Sequence, residues 1–287
     1  MQVGVLAEIH RYPVKSMQGE RLESVAVAAD GLRGDRSWAV RDEGRAGIEG
    51  ARKLPALLGC RATFARPPAD RGPLPAPEIE LPDGERIAAD DPEAARRLSQ
   101  LSARSLTLWP RLAASEADHY RRGAPDHEDL VDEFRAVFGR LADEPLPDIG
   151  SFPTELLTSS TIPGTYFDCY PTFLLTKASL DSMQRARPSS RFDARRFRPN
   201  LLLESDEAGG FPENAWVGRR LRIGEVVFRV AMECPRCVMT THAFAELPKD
   251  PGVMRALVKE NRGNLGVYAS VEEPGSLRQG DAVELLD

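Results

Sequence analysis

Apolar and polar positions alternate through much of the first hundred residues. Val3, Val5 and Ala7 alternate, as do Val25 and Val27, and Trp38 and Val40 alternate ahead of the turn residues Asp42-Glu43-Gly44. A period of two predicts strands with one buried face. PEIELPDGERIAAD predicts a hairpin, with Asp83-Gly84 at the turn between Ile79/Leu81 and Ile87. Five prolines and one glycine from Arg66 to Pro77 predict a surface loop. A short helix is expected next, because Asp91 can cap it, Pro92 suits its first turn, and Ala94, Ala95, Leu98 and Leu101 share one face.

The pattern changes between residues 112 and 165. Leu130, Phe134, Val137, Phe138 and Leu141 fall at helical spacing with acids opposite, and a stretch rich in Pro, Ser and Thr follows. Beyond it strands return. LRIGEVVFRVAM predicts a hairpin turning at Gly224-Glu225. Thr176 is expected to cap a helix over TKASLDSMQRA. Asp250, Pro251 and Gly263 bound another, with Val253, Met254, Leu257 and Val258 as its buried stripe. The turns Glu273-Pro274-Gly275 and Gln279-Gly280-Asp281 separate the last short strands. Many short strands with few helices predict a mainly β protein with peripheral helices. The chain divides into an N-terminal β-barrel-like domain (1–111), a helical connector and loop (112–165) and a C-terminal β-barrel (166–287).

Charge and composition then remove whole classes. The 287 residues carry a net charge of −6, from 38 basic and 44 acidic side chains, which argues against a nucleic-acid polymer as partner. No apolar run is long enough for a membrane span, and MQVGVLAEIHRYPVKS lacks the charged and apolar halves of a secretory signal. Four cysteines are too few for a disulfide framework at this length, so a reducing, cytoplasmic location is expected. There is no GxGxxG, no Walker loop and no internal repeat. Only five of the 38 basic residues are lysines (Lys15, Lys53, Lys177, Lys249 and Lys259), leaving 33 arginines. Scarcity makes Lys15, held in the proline-anchored YPVKS, more informative than any one arginine.

The sharpest chemical feature is Glu233-Cys234-Pro235-Arg236-Cys237 at the end of a strand. A structural zinc site needs four soft ligands, and only Cys60, Cys169 and His242 remain as partners. A redox dithiol wants its CxxC at a helix N-terminus, whereas the VMTTHAF that follows is β-branched and polar rather than helical. Two buried structural cysteines are a third reading. A single thiolate ligating a soft or high-valent metal is a fourth.

The surrounding motifs favour the fourth. Tyr12-Pro13-Val14-Lys15-Ser16 comes first, then Gly31-Leu32 with Gly34-Asp35-Arg36 and Trp38. Phe197-Arg198-Pro199-Asn200, Cys234-x-Arg236-Cys237 with Thr240-Thr241, and Gly266-Val267-Tyr268 with Gly280-Asp281 follow in order. This series resembles the MOSC family, named after the C-terminal domain of molybdenum-cofactor sulfurase, together with its N-terminal MOSC β-barrel domain. It is similar in particular to the branch holding the mitochondrial amidoxime-reducing components and their bacterial relatives.

The resemblance implies a C-terminal MOSC β-barrel and a molybdenum cofactor (Mo-molybdopterin), with Cys237 as metal ligand and catalytic thiolate and Cys234 in support. It implies that Lys15, Ser16, Arg52 and Arg198 hold the pterin phosphate, that Asn200 hydrogen-bonds the cofactor, and that Tyr170 lies on a cofactor-facing loop. Asp35 and Arg36 are expected to brace a loop. Departures fall on the substrate side: Pro235 replaces a hydroxyl residue, Gly50 stands where relatives carry Thr, and His242-Ala243-Phe244 replaces an aspartate-containing loop. His242 is a proton donor by type. The implied activity is reduction of N-hydroxylated substrates such as amidoximes and hydroxylamines. No run of four suitably spaced cysteines supplies an iron–sulfur relay, so a separate electron-donor protein, ferredoxin-like or cytochrome-type, is expected. The alternative is a non-catalytic cofactor carrier or sulfur-transfer protein with a persulfide on Cys237.

Overall fold

The computed structural model describes residues 1–207 and 209–286. Seven strands close into a barrel, in the order Leu201–Ser205, Thr172–Thr176, Asn264–Glu273, Val226–Pro235, Arg220–Ile223, Ala282–Leu285, Gln2–Arg11 and back to Leu201–Ser205. All pairs are antiparallel except Thr172–Thr176 with Leu201–Ser205. Closure removes the free edges that an open sheet would expose. Among the described residues no helix is long and apolar enough to cross a membrane.

The first strand does not stay with the first third of the chain. Gln2–Arg11 closes the barrel built from the last third, pairing Gly4 with Ser205 and Ile9 with Leu201. The expected Val3, Val5, Ala7 alternation is also re-phased. Register shifts between Gln2 and Gly4 and between Leu6 and Glu8 turn Val3, Leu6 and Ile9 into the core instead. A bulge adds one residue to one strand, and with a side-chain period of two that swaps faces.

The barrel interior is packed by Leu6, Ile9, Leu174, Leu201, Leu203, Phe228, Val267 and their neighbours. Its outer face is covered by the helices Lys177–Ala186 and Pro251–Asn261, through Met183, Val253, Met254 and Leu257 against Phe173, Leu175 and Leu202. Burial on both faces is why Leu201-Leu202-Leu203 runs continuously apolar. The helix caps sit where local chemistry puts them: the Thr176, Asp250 and Asp91 side chains accept from Ser179, Gly252 and Glu93 amides.

Residues 38 to 110 form a smaller β unit. Trp38–Asp42, Gly47–Glu49 and Leu106–Pro110 make one three-stranded sheet, and Arg61–Thr63, Glu78–Glu80 and Arg86–Ala88 another. Val14, Met17, Val40, Leu57, Ile79 and Leu98 pack between them. The expected hairpins at Asp83-Gly84 and Gly224-Glu225 form. At the chain end, Asn264–Glu273 and Gly275–Arg278 are not a hairpin; after Pro274 the second strand leaves to pair with Ser24–Ala28.

Two expected apolar faces are only partly buried. Leu101 is exposed at the edge of its helix. On the connector helix Leu130–Phe138, Phe138 is buried but Leu130 stays 65% exposed, and Leu141 beyond its end 54%. Buried Tyr120 and Phe138 anchor the connector, and ion pairs add to them: Lys53 Nζ meets Asp126 at 3.0 Å and Glu133 at 3.1 Å, and Arg255 pairs with Glu144.

Gly266 shows how closely the barrel is packed. At φ +74 its position tolerates an L side chain poorly, and an added Cβ would meet Phe173 Cε2 at 2.4 Å and the Leu174 carbonyl oxygen at 2.5 Å. Gly266→Ala is therefore expected to cost about 3 kcal/mol of stability, read as a lower urea midpoint. An unchanged midpoint would contradict this packing.

Candidate functional site

Three loops meet at one end of the barrel because of strand direction. Tyr12–Met17 follows the first strand, Phe197–Asn200 precedes its antiparallel neighbour Leu201–Ser205, and Asp168–Pro171 precedes Thr172–Thr176, which runs parallel to the latter. Main-chain bonds lock them together: His10 N donates to Asn200 O at 2.7 Å and Asn200 N to Phe173 O at 2.9 Å. The loop carrying Asp35 and Arg36 joins through Tyr12 N donating to Asp35 Oδ1 at 2.7 Å.

Between these loops lies a narrow cleft, partly open to solvent, with an accessible volume of about 50 Å³. Of the seven residues singled out from the sequence, Lys15, Ser16, Tyr170, Arg198 and Asn200 line it. Arg52 and Cys237 do not, but both lie close by. Ala51, next to Arg52, donates its amide to Ser16 Oγ at 2.9 Å. Cys237 packs in a small apolar cluster with Ala51, Leu58, Met239, Phe244 and Leu247, between the N-terminal unit and the barrel. The sequence reading missed Asp168, Arg236 and Tyr268 as cleft residues, and it gave Arg36 only a bracing role.

The cations differ in how they are compensated. Lys15 is buried, and its Nζ donates to Asp168 Oδ1 at 2.6 Å and Tyr166 O at 2.9 Å. Burial pushes its pKa down and Asp168 opposes that. Arg36 pairs with Asp35, donates to Asn200 Oδ1 at 3.0 Å, and lies over the Tyr12 ring at 4.6 Å. The bracing expected of Asp35 and Arg36 is present. Arg198 covers the same ring at 4.1 Å and is only 6% exposed. Its Nη1 donates to Met17 O, and among the described residues its buried Nη2 has no partner. Burial without a counter-ion pushes its guanidinium down to about 10. A buried unpaired donor is costly, and Nη2 of Arg198 remains free to donate to an acceptor that reaches it.

Asn200 is differently placed. Its Oδ1 accepts from Arg36 and from Phe173 N at 3.2 Å, and its Nδ2 donates to Asp35 Oδ2 at 3.0 Å and His10 O at 3.3 Å. Its amide is spent on holding three loops together and has little left for a ligand. Gly50 also acquires a reason: an added Cβ would sit 2.7 Å from Ser16 Oγ, where the serine needs room to meet Ala51 N.

Backbone strain collects here as well. Ser16 (φ 71), Arg36 (φ 44) and Arg198 (φ 59) all adopt left-handed backbone, which costs a non-glycine residue roughly 1 kcal/mol or more. Such conformations persist where surrounding structure enforces them, commonly at binding sites.

The two cysteines of the CxxC are unlike. Cys234 is fully buried, and Arg236 Nη1 donates to its Sγ at 2.8 Å while Nη2 reaches Phe197 O at 2.7 Å. Burial raises the Cys234 thiol pKa, with Arg236 pulling against it. Cys237 is half-buried and stands at the start of a single 3-10 turn, Val238–Thr241. That turn corrects the expectation that VMTTHAF is non-helical: Thr240 N and Oγ1 both donate to Cys237 O, a local satisfaction that composition does not reveal. All four cysteines are free thiols. Among the described residues no group of three or more His, Cys, Asp or Glu side chains is placed to hold a metal, whereas structural zinc takes four. His242 is half-buried with Nε2 unpaired, and burial lowers its pKa, so its ring is neutral at pH 7.

Residues 3–107 match the family described as the MOSC N-terminal beta barrel domain, and residues 162–284 match the MOSC domain. The chain therefore belongs to the MOSC family, and both matched segments contribute walls to the cleft. It is similar over nearly its whole length to proteins named mitochondrial amidoxime reducing component 2. Identity is 26% with that of Bos taurus and 27% with that of Homo sapiens, each over 98% of this chain and 83% of the relative. Among solved structures, the YUAD protein from Bacillus subtilis covers 99% of this chain and 96% of its own, at 12% identity and a TM-score of 0.44.

Proposed function

We propose that the chain binds a molybdenum cofactor and reduces N-hydroxylated compounds with electrons from a separate donor protein. The observation that carries this reading is the buried, unpaired Nη2 of Arg198 in a cleft that also holds Lys15 and Ser16, with the half-buried thiol of Cys237 beside it. A phosphate monoester would supply the acceptor Arg198 lacks, and a thiolate suits a soft or high-valent metal. The donor set fits the group.

In this reading Lys15, Ser16, Arg52 and Arg198 hold the phosphate, and Cys237 is the one protein ligand to molybdenum. Tyr170, with Tyr268 6.1 Å away ring to ring, walls the pterin. Asn200 orients Arg36 instead of meeting the cofactor. When bound, the cofactor supplies the two-electron redox chemistry. The net reaction replaces an N–OH bond by N–H, consuming two electrons and two protons and releasing water. Amidoximes are the substrate class supported by the name of the relatives, and hydroxylamines are included because they share the N–OH group. The four free thiols support a reducing, cytoplasmic setting.

Two measurements test this. Protein made in a cofactor-competent host should contain molybdenum, and with an artificial electron donor it should reduce benzamidoxime. Zinc without molybdenum would overturn the reading. Molybdenum or a stable persulfide on Cys237 without turnover would support the carrier alternative instead.

A further inference from the structure

Among the side chains lining the cleft, Lys15, Arg36, Arg198 and Arg236 are cationic and Asp168 alone is acidic. Asp35, behind Arg36, is buried and committed to Tyr12 N, Arg36 and Asn200. Asp168 has no such commitments. Among the described residues its carboxylate has one hydrogen-bond partner, Lys15 Nζ, and its side chain is 55% exposed while that of Lys15 is 7% exposed. No backbone amide holds it. It sits on the best cation of the site and can leave by turning into water.

We propose that the Asp168 carboxylate is a built-in placeholder for a phosphate monoester: it occupies Lys15 while the cleft is empty and gives up that position when the phosphate enters. The proposal rests on the reading that this cleft takes the cofactor's phosphate. Three observations support it. The anion on Lys15 comes from an exposed side chain lining the cleft, with no main-chain amide among the described residues holding it. Lys15 keeps a second anchor, Tyr166 O at 2.9 Å, so its Nζ stays aimed when Asp168 departs. Partial desolvation by the cleft walls favours the neutral form of Asp168, but Lys15 and then Arg52 outweigh that and hold its carboxyl well below the usual range, so the placeholder is charged at any working pH. A buried lysine left alone would otherwise be driven towards its neutral form. The exchange replaces one charge-assisted bond by another and adds the acceptor that Arg198 lacks.

The test uses protein made in a host without the cofactor and inorganic phosphate as the probe, with binding followed by calorimetry. Asp168→Asn and Asp168→Ala should each bind phosphate about tenfold more tightly than the wild type, because the competing charged bond is gone. Lys15→Met should abolish binding in every background, which places the measured site at Lys15. If Asp168 instead positions Lys15, both variants bind more weakly, and the proposal is overturned. Unchanged affinity, a gain in only one variant, or no phosphate binding in any variant also overturns it. Molybdenum in wild-type protein made in the cofactor-competent host, together with any of those results, would sink the placeholder alone; absence of molybdenum from that preparation would sink the reading of the site.

Discussion

Protein carrying Cys237→Ser is expected to retain less than about a tenth of the wild-type molybdenum, because a hydroxyl is a far harder and less acidic ligand than a thiol. Cys234→Ser is expected to keep most of its metal. Its sulfur is fully buried and already engaged by Arg236 Nη1 at 2.8 Å, and it packs with Phe173, Phe197 and Leu265. A serine there can still accept from Arg236 but loses apolar volume, so the expected cost is about 1–2 kcal/mol in stability. Metal content by elemental analysis and unfolding by urea separate the two effects. Equal metal loss in both variants would contradict a single-ligand site, and metal loss confined to Cys234→Ser would reverse the assignment.

The second large effect is expected at Arg198. Arg198→Met removes a cation that is buried, lacks a counter-ion and has one unpaired nitrogen. The losses are the Nη1 bond to Met17 O and the contact with the Tyr12 ring. These roughly offset the gain from no longer burying a charge, so stability should change by less than about 1 kcal/mol. Phosphate binding should weaken by about 2 kcal/mol, roughly 30-fold, through loss of charged hydrogen bonds. Arg198→Lys should recover part of that affinity, since it restores the charge but not the planar fork. A variant as tight as the wild type would remove Arg198 from the site. A strongly destabilised one would recast it as a structural residue.

Much of this molecule was legible because the signals are local. The caps at Asp91, Thr176 and Asp250 form, as do the turns at Asp83-Gly84 and Gly224-Glu225, because cap and turn chemistry is completed within a few residues. Lys15, Ser16, Arg198 and Cys237 stood out in ordered motifs, and the first three line one cleft. The exposed faces of Leu130 and Leu141 were not, because helical spacing says which residues share a face and not what lies opposite. The phasing of the first strand was hidden too, since its bulges answer to Leu201–Ser205 and Ala282–Leu285.

By itself, then, the sequence determined a mainly β chain, its turns and caps, and the residue types on which the proposed chemistry rests. Only the tertiary structure decided which of those side chains meet. Lys15 finds Asp168 across 153 positions, and Asn200 finds Arg36 across 164. The same closure leaves Arg198 Nη2 buried without a partner while Asn200 has every bond filled. Periodicity and turn residues report on energies shared by near neighbours. Burial, charge compensation and an unpaired donor are set by whatever the barrel brings alongside, which is a property of its closure and not of any segment.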